Sequence, residues 1–365
     1  MHHAPAGPRP PARRGNGGAG RHWRRVVVAS VAAFLTLPAG IAAADAAGPT
    51  DYETRIVAIE PAAPQLDARI VGGDSFLLLH VDAGTEVEVL GYRSEPYIRF
   101  LADGTVEENR SSASWFVSRS RLGSELPADF DDSAEPDWHV VATGGEYAWH
   151  DHRTHWMADG RPPGKRPGDV ILRQDIELVV DGAPVTITVE SVWMQAPSAV
   201  PAWLGGAAGL LAGLLAGFGG RIRWRAAPAL GLALVATVVG AWQYRSLPAE
   251  TGPLAVWFVL PAVAAASLAA VCVLQWRRRA MLTAQALLLL AGVNLVLWGW
   301  MRRDGVSKAI LPTNAPGWLD RWATAAAVTA GVLLAAAGLI ALVRTVVSPA
   351  GAATAAGAAA TSSAS

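Results

Sequence analysis

The stretch DVILRQDIELVVDGAPVTITVESVWM, residues 169–194, predicts two antiparallel strands joined by a tight turn. Apolar and β-branched residues recur on both sides of Asp181-Gly182, and Asp-Gly favours a two-residue hairpin turn because such a turn needs positive φ angles. Upstream, short runs of the same character begin near residue 54 and are separated by turn signals such as Gly-Gly-Asp and Ala-Asp-Gly-Thr. We therefore predict an all-β domain over residues 48–199, of the immunoglobulin-like β-sandwich type.

Downstream of the hairpin, the sequence changes to long apolar runs. Each has close to the ~20 residues that an α-helix needs to cross a hydrocarbon core about 30 Å thick. We therefore predict a five-span transmembrane bundle over residues 200–347, followed by a low-complexity, disordered cytoplasmic tail at 348–365. The predicted spans are about 203–220, 226–243, 254–275, 281–300 and 322–344.

Residues 1–47 have the layout of a secretory signal. A basic region ending in RHWRR precedes the apolar run VVVASVAAFLTL, and small residues follow near Ala44 and Ala47,. A cleaved signal peptide and an uncleaved anchor both stay open, and both place the β domain outside. The basic clusters at 221–225 and 276–279 agree, because such clusters favour the cytoplasmic ends of spans. We expect a multi-pass plasma-membrane protein with an extracellular β domain.

Charge is unevenly distributed along the chain, although the net charge is zero. Residues 48–199 contain 26 Asp and Glu against 12 Lys and Arg, whereas the rest contains 4 acidic and 18 basic residues. An acidic domain does not suit nucleic acid, whose phosphates need a basic surface. It suits a cation or a basic protein partner in the cell envelope.

The densest group of ligand-type side chains is YAWHDHRTHWM, residues 147–157. In an extended strand, His150 and His152 share one face, and His155 joins them only if the strand bends or ends before it. Met157 could add a thioether. Imidazole suits Cu(II) and Zn(II), and a thioether suits Cu(I). We therefore predict a metal site at His150, His152, His155 and Met157, with copper preferred to zinc.

A structural interpretation of the same stretch stays open. Asp151 and Arg153 could form an ion pair, the histidines could donate hydrogen bonds to neighbouring carboxylates and carbonyls, and Trp149 and Trp156 could belong to the core. The pattern lacks the specificity of a paired Cys-x-x-Cys site.

The central parts of the predicted spans contain no His, Asp or Glu. All eight histidines lie at or before His155, so the spans contain no ligand for a bis-histidine haem,. The chain also contains none of the common hydrolase, zinc-protease or phosphate-binding motifs. We therefore expect a protein that is not an enzyme.

Two further segments carry open alternatives. In GYRSEPYIRF, residues 91–100, and the segment after it, arginines and glutamates could form either a ligand groove or an internal network of ion pairs. The loop at 301–321 is basic although the predicted topology places it outside. We hypothesise that it docks on the acidic β domain through Arg302, Arg303, Lys308 and Arg321; the alternative is that its charges are simply tolerated.

The combination of GYRSEPYIRF, ENRSSAS and YAWHDHRTHWM with a signal before and spans after resembles an uncharacterised family of actinobacterial membrane proteins. The resemblance covers about residues 50–345 and implies the architecture rather than an activity. The layout also loosely resembles copper-resistance proteins of the CopC/CopD type, which join an outer β-sandwich to a membrane bundle. This chain departs from them, because its mature N-terminus lacks the usual first-residue histidine and its spans lack histidine.

These observations predict a non-enzymatic envelope protein whose outer β domain binds a metal ion, in copper handling or sensing. The alternative is an envelope assembly protein whose outer domain binds a protein partner and whose histidines are structural.

Overall fold

A computed structural model describes residues 47–131, 133–158, 160–220, 222, 224–277 and 281–347 of the chain. The predicted signal segment before residue 47, the predicted tail from residue 348 onward and part of both predicted arginine clusters lie outside the described residues.

The N-terminal half is a β domain of two antiparallel sheets. One sheet has seven strands in the order β1-β10-β9-β4-β5-β6-β7, and the other has three in the order β2-β3-β8. The strands are β1 (Tyr52–Glu60), β2 (Leu66–Val71), β3 (Phe76–Val81), β4 (Val87–Leu90), β5 (Pro96–Phe100), β6 (Val106–Asn109), β7 (Trp138–Ala142), β8 (Glu146–His150), β9 (Val170–Val180) and β10 (Ala183–Trp193).

The predicted hairpin is confirmed. Strands β9 and β10 pair in register from Val180 opposite Ala183, and the two residues between them have positive φ angles, 49° at Asp181 and 80° at Gly182. These angles are those that a two-residue hairpin turn requires, which explains why Asp-Gly marks this position.

Both sheets contribute to one hydrophobic core. Leu77, Leu79 and Trp149 come from the three-stranded sheet, and Ile98 and Ile176 come from the seven-stranded sheet. Buried residues alternate along β4 and most of β10, so these strands bury one face, whereas β3 is buried on both faces over residues 76–79,. The prediction of a β-sheet domain is confirmed, whereas the immunoglobulin-like arrangement of its strands stays a prediction.

Within the described residues, the α-helices comprise one short element in the β domain and five long apolar ones after it. The short helix, α1 (Ala113–Val117), lies between β6 and β7, in a region without a clear sequence pattern. All five long helices are long and apolar enough to cross a membrane, and this confirms the prediction of five apolar helices after the β domain. They are α2 (Val200–Phe218), α3 (Ala227–Ser246), α4 (Val256–Arg277), α5 (Met281–Met301) and α6 (Gly317–Val347).

The β domain contacts the end of the bundle at which α3 ends and α4 begins. Ala47 and Phe76 pack with Leu247, which follows α3, and with Trp257 in the first turn of α4. We call Ala47, Phe76, Leu247 and Trp257 the junction cluster.

The loop between α5 and α6 also contacts the β domain. Thr50 and Ile310 exchange backbone hydrogen bonds of 3.0 and 2.9 Å, and Lys308 Nζ lies 2.7 Å from an Asp51 carboxylate oxygen. The structure therefore places this basic loop on the acidic domain, as the docking hypothesis proposed.

Other basic residues of that loop have different partners from those hypothesised. Arg302 pairs with Asp320 within the bundle, and Arg303 lies 3.8 Å from Asp304. Arg321 donates to backbone carbonyls of the loop itself. Of the four basic residues in the hypothesis, Lys308 makes the ion pair with the β domain.

Candidate metal centre

The histidine stretch begins as a strand and then turns. Strand β8 ends at His150, so the strand does not extend through His152 and His155. The Thr154 amide donates to the Asp151 carbonyl at 3.0 Å, and the Thr154 hydroxyl donates to the same oxygen at 2.7 Å. This turn reverses the chain, and it brings His155 back to His150 despite its opposite parity in the sequence.

The three imidazoles converge on one point. Nε2 of His150 lies 2.9 Å from Nε2 of His155, and the two rings meet edge to edge, with centroids 4.9 Å apart and planes 16° apart. The His152 ring stands nearly perpendicular to both, with centroids 5.0 Å from His150 and 5.4 Å from His155. One ring nitrogen from each histidine lies within 4.8 Å of those of the other two. The spacing of a metal site is thus present among the predicted residues.

Each of these histidines also uses a ring nitrogen to contact a backbone carbonyl. A carbonyl oxygen accepts, so where the ring nitrogen carries the proton for such a contact, the lone pair of the neutral ring is on the other nitrogen. Histidines that bind metals have such a partner on the opposite nitrogen in nearly every case. The three contacts are His150 Nδ1 to Ser118 O at 2.8 Å, His152 Nε2 to Ser120 O at 2.9 Å and His155 Nδ1 to Trp156 O at 3.3 Å.

Burial keeps the rings of His150 and His155 neutral. His155 is 1% exposed, and burial, followed by the positive charge of Arg121 and the electrostatic interaction with His150, lowers the pKa of His155 to about 3. Burial also lowers the pKa of His150, although Ser118 and Asp151 oppose that shift. At neutral pH both rings can therefore offer lone pairs without first losing a proton.

A buried ion pair holds the turn in shape. Asp151 is fully buried and accepts from Nε and Nη2 of Arg153, at 2.9 and 2.8 Å, and from Trp149 Nε1 at 3.0 Å. Burial raises the pKa of the Asp151 carboxyl, but Arg153 and the hydrogen bonds outweigh burial and lower it overall. The ion pair foreseen in the structural interpretation is thus present, and it supports the loop that carries the histidines.

Several residues around the cluster had no sequence signal. The Tyr92 hydroxyl accepts from the His152 amide at 2.9 Å, and the Tyr92 ring stacks on His152 with centroids 5.8 Å apart. Ser118 and Ser120 supply the carbonyls described above. They are distant from the histidines in sequence, and their contribution comes from the backbone, which carries no residue-type signature.

Met157 lies on the His152 side of the cluster. A side chain placed on Gly123 would come within 3.6 Å of His152 Cε1 and 3.9 Å of the Met157 methyl carbon, so both groups border the same glycine. Met157 is half-buried. Its role as a fourth ligand stays a prediction.

Two other histidines of the β domain have acidic partners of their own. His139 Nε2 lies 2.9 Å from Asp137, and His80 Nε2 lies 3.9 Å from Asp82. We therefore restrict the candidate ligands to the histidine stretch.

The second segment with open alternatives contains ion pairs. Arg99 lies 2.6 Å from Glu107, and Arg110 lies 3.6 Å from Glu108. Glu95 instead accepts hydrogen bonds from Ser112 and from Ser114 at the start of helix α1. These contacts favour the structural alternative for this segment.

No protein-family model, no curated protein and no solved structure matches the chain. A metal centre is therefore inferred from the geometry of the site alone.

Proposed function

We propose that the β domain binds one transition-metal ion through His150, His152 and His155, and that the protein serves in copper handling or sensing rather than as an enzyme. The observation that carries this proposal is the convergence of three imidazoles, each of which also has a ring nitrogen against a backbone carbonyl.

The contact between His150 and His155 supports a cation at this point. If both Nδ1 atoms donate to carbonyls, both Nε2 atoms present lone pairs to each other across 2.9 Å. A metal ion bound by both lone pairs removes this repulsion. Without an ion, one ring must move its proton to Nε2 and lose its carbonyl hydrogen bond, and the 3.3 Å bond of His155 is the weaker one to lose.

Forming a metal site requires the distances between the ring nitrogens to change by at most about 1.5 Å,. Two metal–nitrogen bonds of about 2.0–2.1 Å at a tetrahedral angle place the nitrogens roughly 3.3 Å apart. The His150–His155 pair must therefore open by a few tenths of an ångström, and the widest pair must close from at most 4.8 Å. The exposed side of His152 makes it the ring best placed to move.

Copper is preferred to zinc because of the ligand set. Three imidazoles suit either metal, but a thioether from Met157 would favour Cu(I). We propose copper as the ion bound and Met157 as its fourth ligand.

The finer architecture belongs to the same proposal. We propose a secretory signal, an immunoglobulin-like sandwich, and a plasma-membrane location with the β domain outside. The β domain and the two loops that join α3 to α4 and α5 to α6 lie at one end of the bundle, which agrees with five spans that alternate in direction.

Electron paramagnetic resonance tests the ligand set directly. The full-length protein, loaded with one equivalent of Cu(II), should give a spectrum with hyperfine coupling to imidazole nitrogens. The triple variant His150→Gln, His152→Gln, His155→Gln should lose that coupling. An unchanged spectrum in a folded triple variant would contradict the proposal and favour the alternative, an assembly protein with structural histidines.

A further inference from the structure

One aromatic ring connects the histidine cluster to the helical bundle. Phe76 is 3% exposed, and its ring lies 5.5 Å from the His150 ring, centroid to centroid. The same side chain belongs to the junction cluster with Leu247 and Trp257 at the ends of α3 and α4. A shift of the His150 ring therefore presses on a side chain that also packs against the bundle, and packed interiors transmit such shifts.

A chain of polar contacts also connects the histidine cluster to the helical bundle. The segment that supplies the Ser118 and Ser120 carbonyls to the histidines continues into Arg121. Arg121 Nη2 lies 2.8 Å from both carboxylate oxygens of Asp74, which is fully buried. Asp74 in turn accepts from the Thr50 hydroxyl at 2.9 Å.

Thr50 completes this route to the bundle. It exchanges backbone hydrogen bonds with Ile310 in the loop between α5 and α6, and the neighbouring Asp51 binds Lys308. The histidine cluster is thus connected to one end of the bundle by one apolar and one polar chain of contacts.

We infer that a metal ion at His150, His152 and His155 loosens the contact between the β domain and the loop that joins α5 to α6, so that the bundle senses metal occupancy. This inference rests on the proposed metal site. It adds a regulatory consequence that metal binding alone does not require.

The expected direction follows from charge. Arg121 and Asp74 both interact electrostatically with His150 and His155, so a cation bound there repels the guanidinium and attracts the carboxylate. This repulsion weakens the ion pair between Arg121 and Asp74, and with it the hydrogen bond that Asp74 accepts from Thr50. A ligand shifts an equilibrium only through a difference in affinity between two states. Here that difference is the repulsion between the ion and Arg121, together with the displacement of Phe76.

Hydrogen–deuterium exchange on the full-length protein in detergent tests this inference. One equivalent of Cu(I) should increase the exchange rates of peptides containing Thr50 and Ile310 by threefold or more. Phe76→Leu should reduce this increase, whereas Phe116→Leu, which changes an aromatic pair with Trp115 instead, should preserve it.

Thermodynamic linkage supplies a second measurement with a matched control. If metal loosens the junction, then loosening the junction must tighten metal binding by the same factor. Lys308→Gln should therefore lower the Kd for Cu(I) by twofold or more. Lys165→Gln removes an equal charge from an exposed lysine of the β domain, and it should leave the Kd unchanged.

The two proposals fail in different ways. Cu(I) binding with unchanged exchange at Thr50 and Ile310, and with equal Kd values for both lysine variants, overturns the coupling and leaves the metal site standing. Absence of Cu(I) binding to the wild-type protein overturns both.

Discussion

Nε2 of His150 lies 2.9 Å from Nε2 of His155, although four residues and a chain reversal separate them. The turn from Asp151 to Thr154 creates this contact, and carbonyls of Ser118 and Trp156 fix the outer side of each ring. Two imidazoles held this way present their inner nitrogens to each other. This relationship distinguishes the stretch from a set of surface histidines.

Substitutions of His152 and His155 should affect metal affinity and stability differently. His152→Gln changes a partly exposed ring, so we expect metal affinity to fall by tenfold or more with little loss of stability. His155→Gln changes a ring that is 1% exposed, so it should lower both affinity and stability. Isothermal titration and chemical unfolding of each full-length variant check this. Equal stability losses in the two variants would contradict the assignment of His152 to the accessible side.

Met157 should affect metal choice. Met157→Leu keeps the apolar volume and removes the sulfur, so we expect about tenfold weaker Cu(I) binding and nearly unchanged Zn(II) binding, since sulfur is a soft ligand. Competition titrations with a chromophoric chelator measure both. If Cu(I) and Zn(II) affinities respond equally, the thioether is not a ligand.

The ion pair of Asp151 and Arg153 should be essential for folding of the site. Asp151→Asn leaves a buried arginine without its counter-charge, which typically costs about 3–5 kcal/mol. Asp175→Asn is a suitable control, because Asp175 is exposed and its side chain accepts only from the Thr188 hydroxyl among the contacts described. This substitution should lower the free energy of unfolding by no more than about 0.5 kcal/mol. Urea unfolding followed by circular dichroism compares the two variants. Similar costs for both would show that the buried pair does not stabilise the domain.

Stability without metal should fall as the pH is lowered from 7 to 5. The pKa of His155 is about 3 in the folded protein and near its ordinary value of 6.5 when unfolded, so in this range only the unfolded state takes up the proton. Stability therefore rises with pH, and His155 alone should account for about 2 kcal/mol between pH 5 and pH 7. Burial lowers the pKa of His150 in the same direction.

Unfolding curves at several pH values test that dependence. His155→Gln should remove most of the slope, while His139→Gln, which changes an exposed histidine outside the cluster, should retain it. A wild-type stability that stays constant between pH 7 and pH 5 would contradict the burial of a neutral His155.

The sequence predicted the architecture well because its signals are local. The Asp181-Gly182 turn, the alternating strands and the five apolar runs each depend on residues close together in the chain. The candidate ligands were also predicted, since His150, His152 and His155 are close in sequence.

The surroundings of the site could not be predicted in the same way. Whether His155 joins the other two depends on a turn that Thr154 and Asp151 form, and the sequence left the end of the strand open. Ser118 and Ser120 act through backbone carbonyls, and Asp51 finds Lys308 across 257 positions of the chain. Such contacts depend on tertiary packing, which a single sequence does not encode in any local pattern.

The most direct test of the metal site is a titration of the full-length protein with Cu(I), Cu(II) and Zn(II), beside the triple variant His150→Gln, His152→Gln, His155→Gln. We predict that the wild-type protein binds one metal ion per chain, with copper bound most tightly. The triple variant should lose this binding while its circular dichroism spectrum still shows a folded protein. Wild-type protein that binds none of the three ions, or a folded variant that binds them equally well, would contradict this prediction.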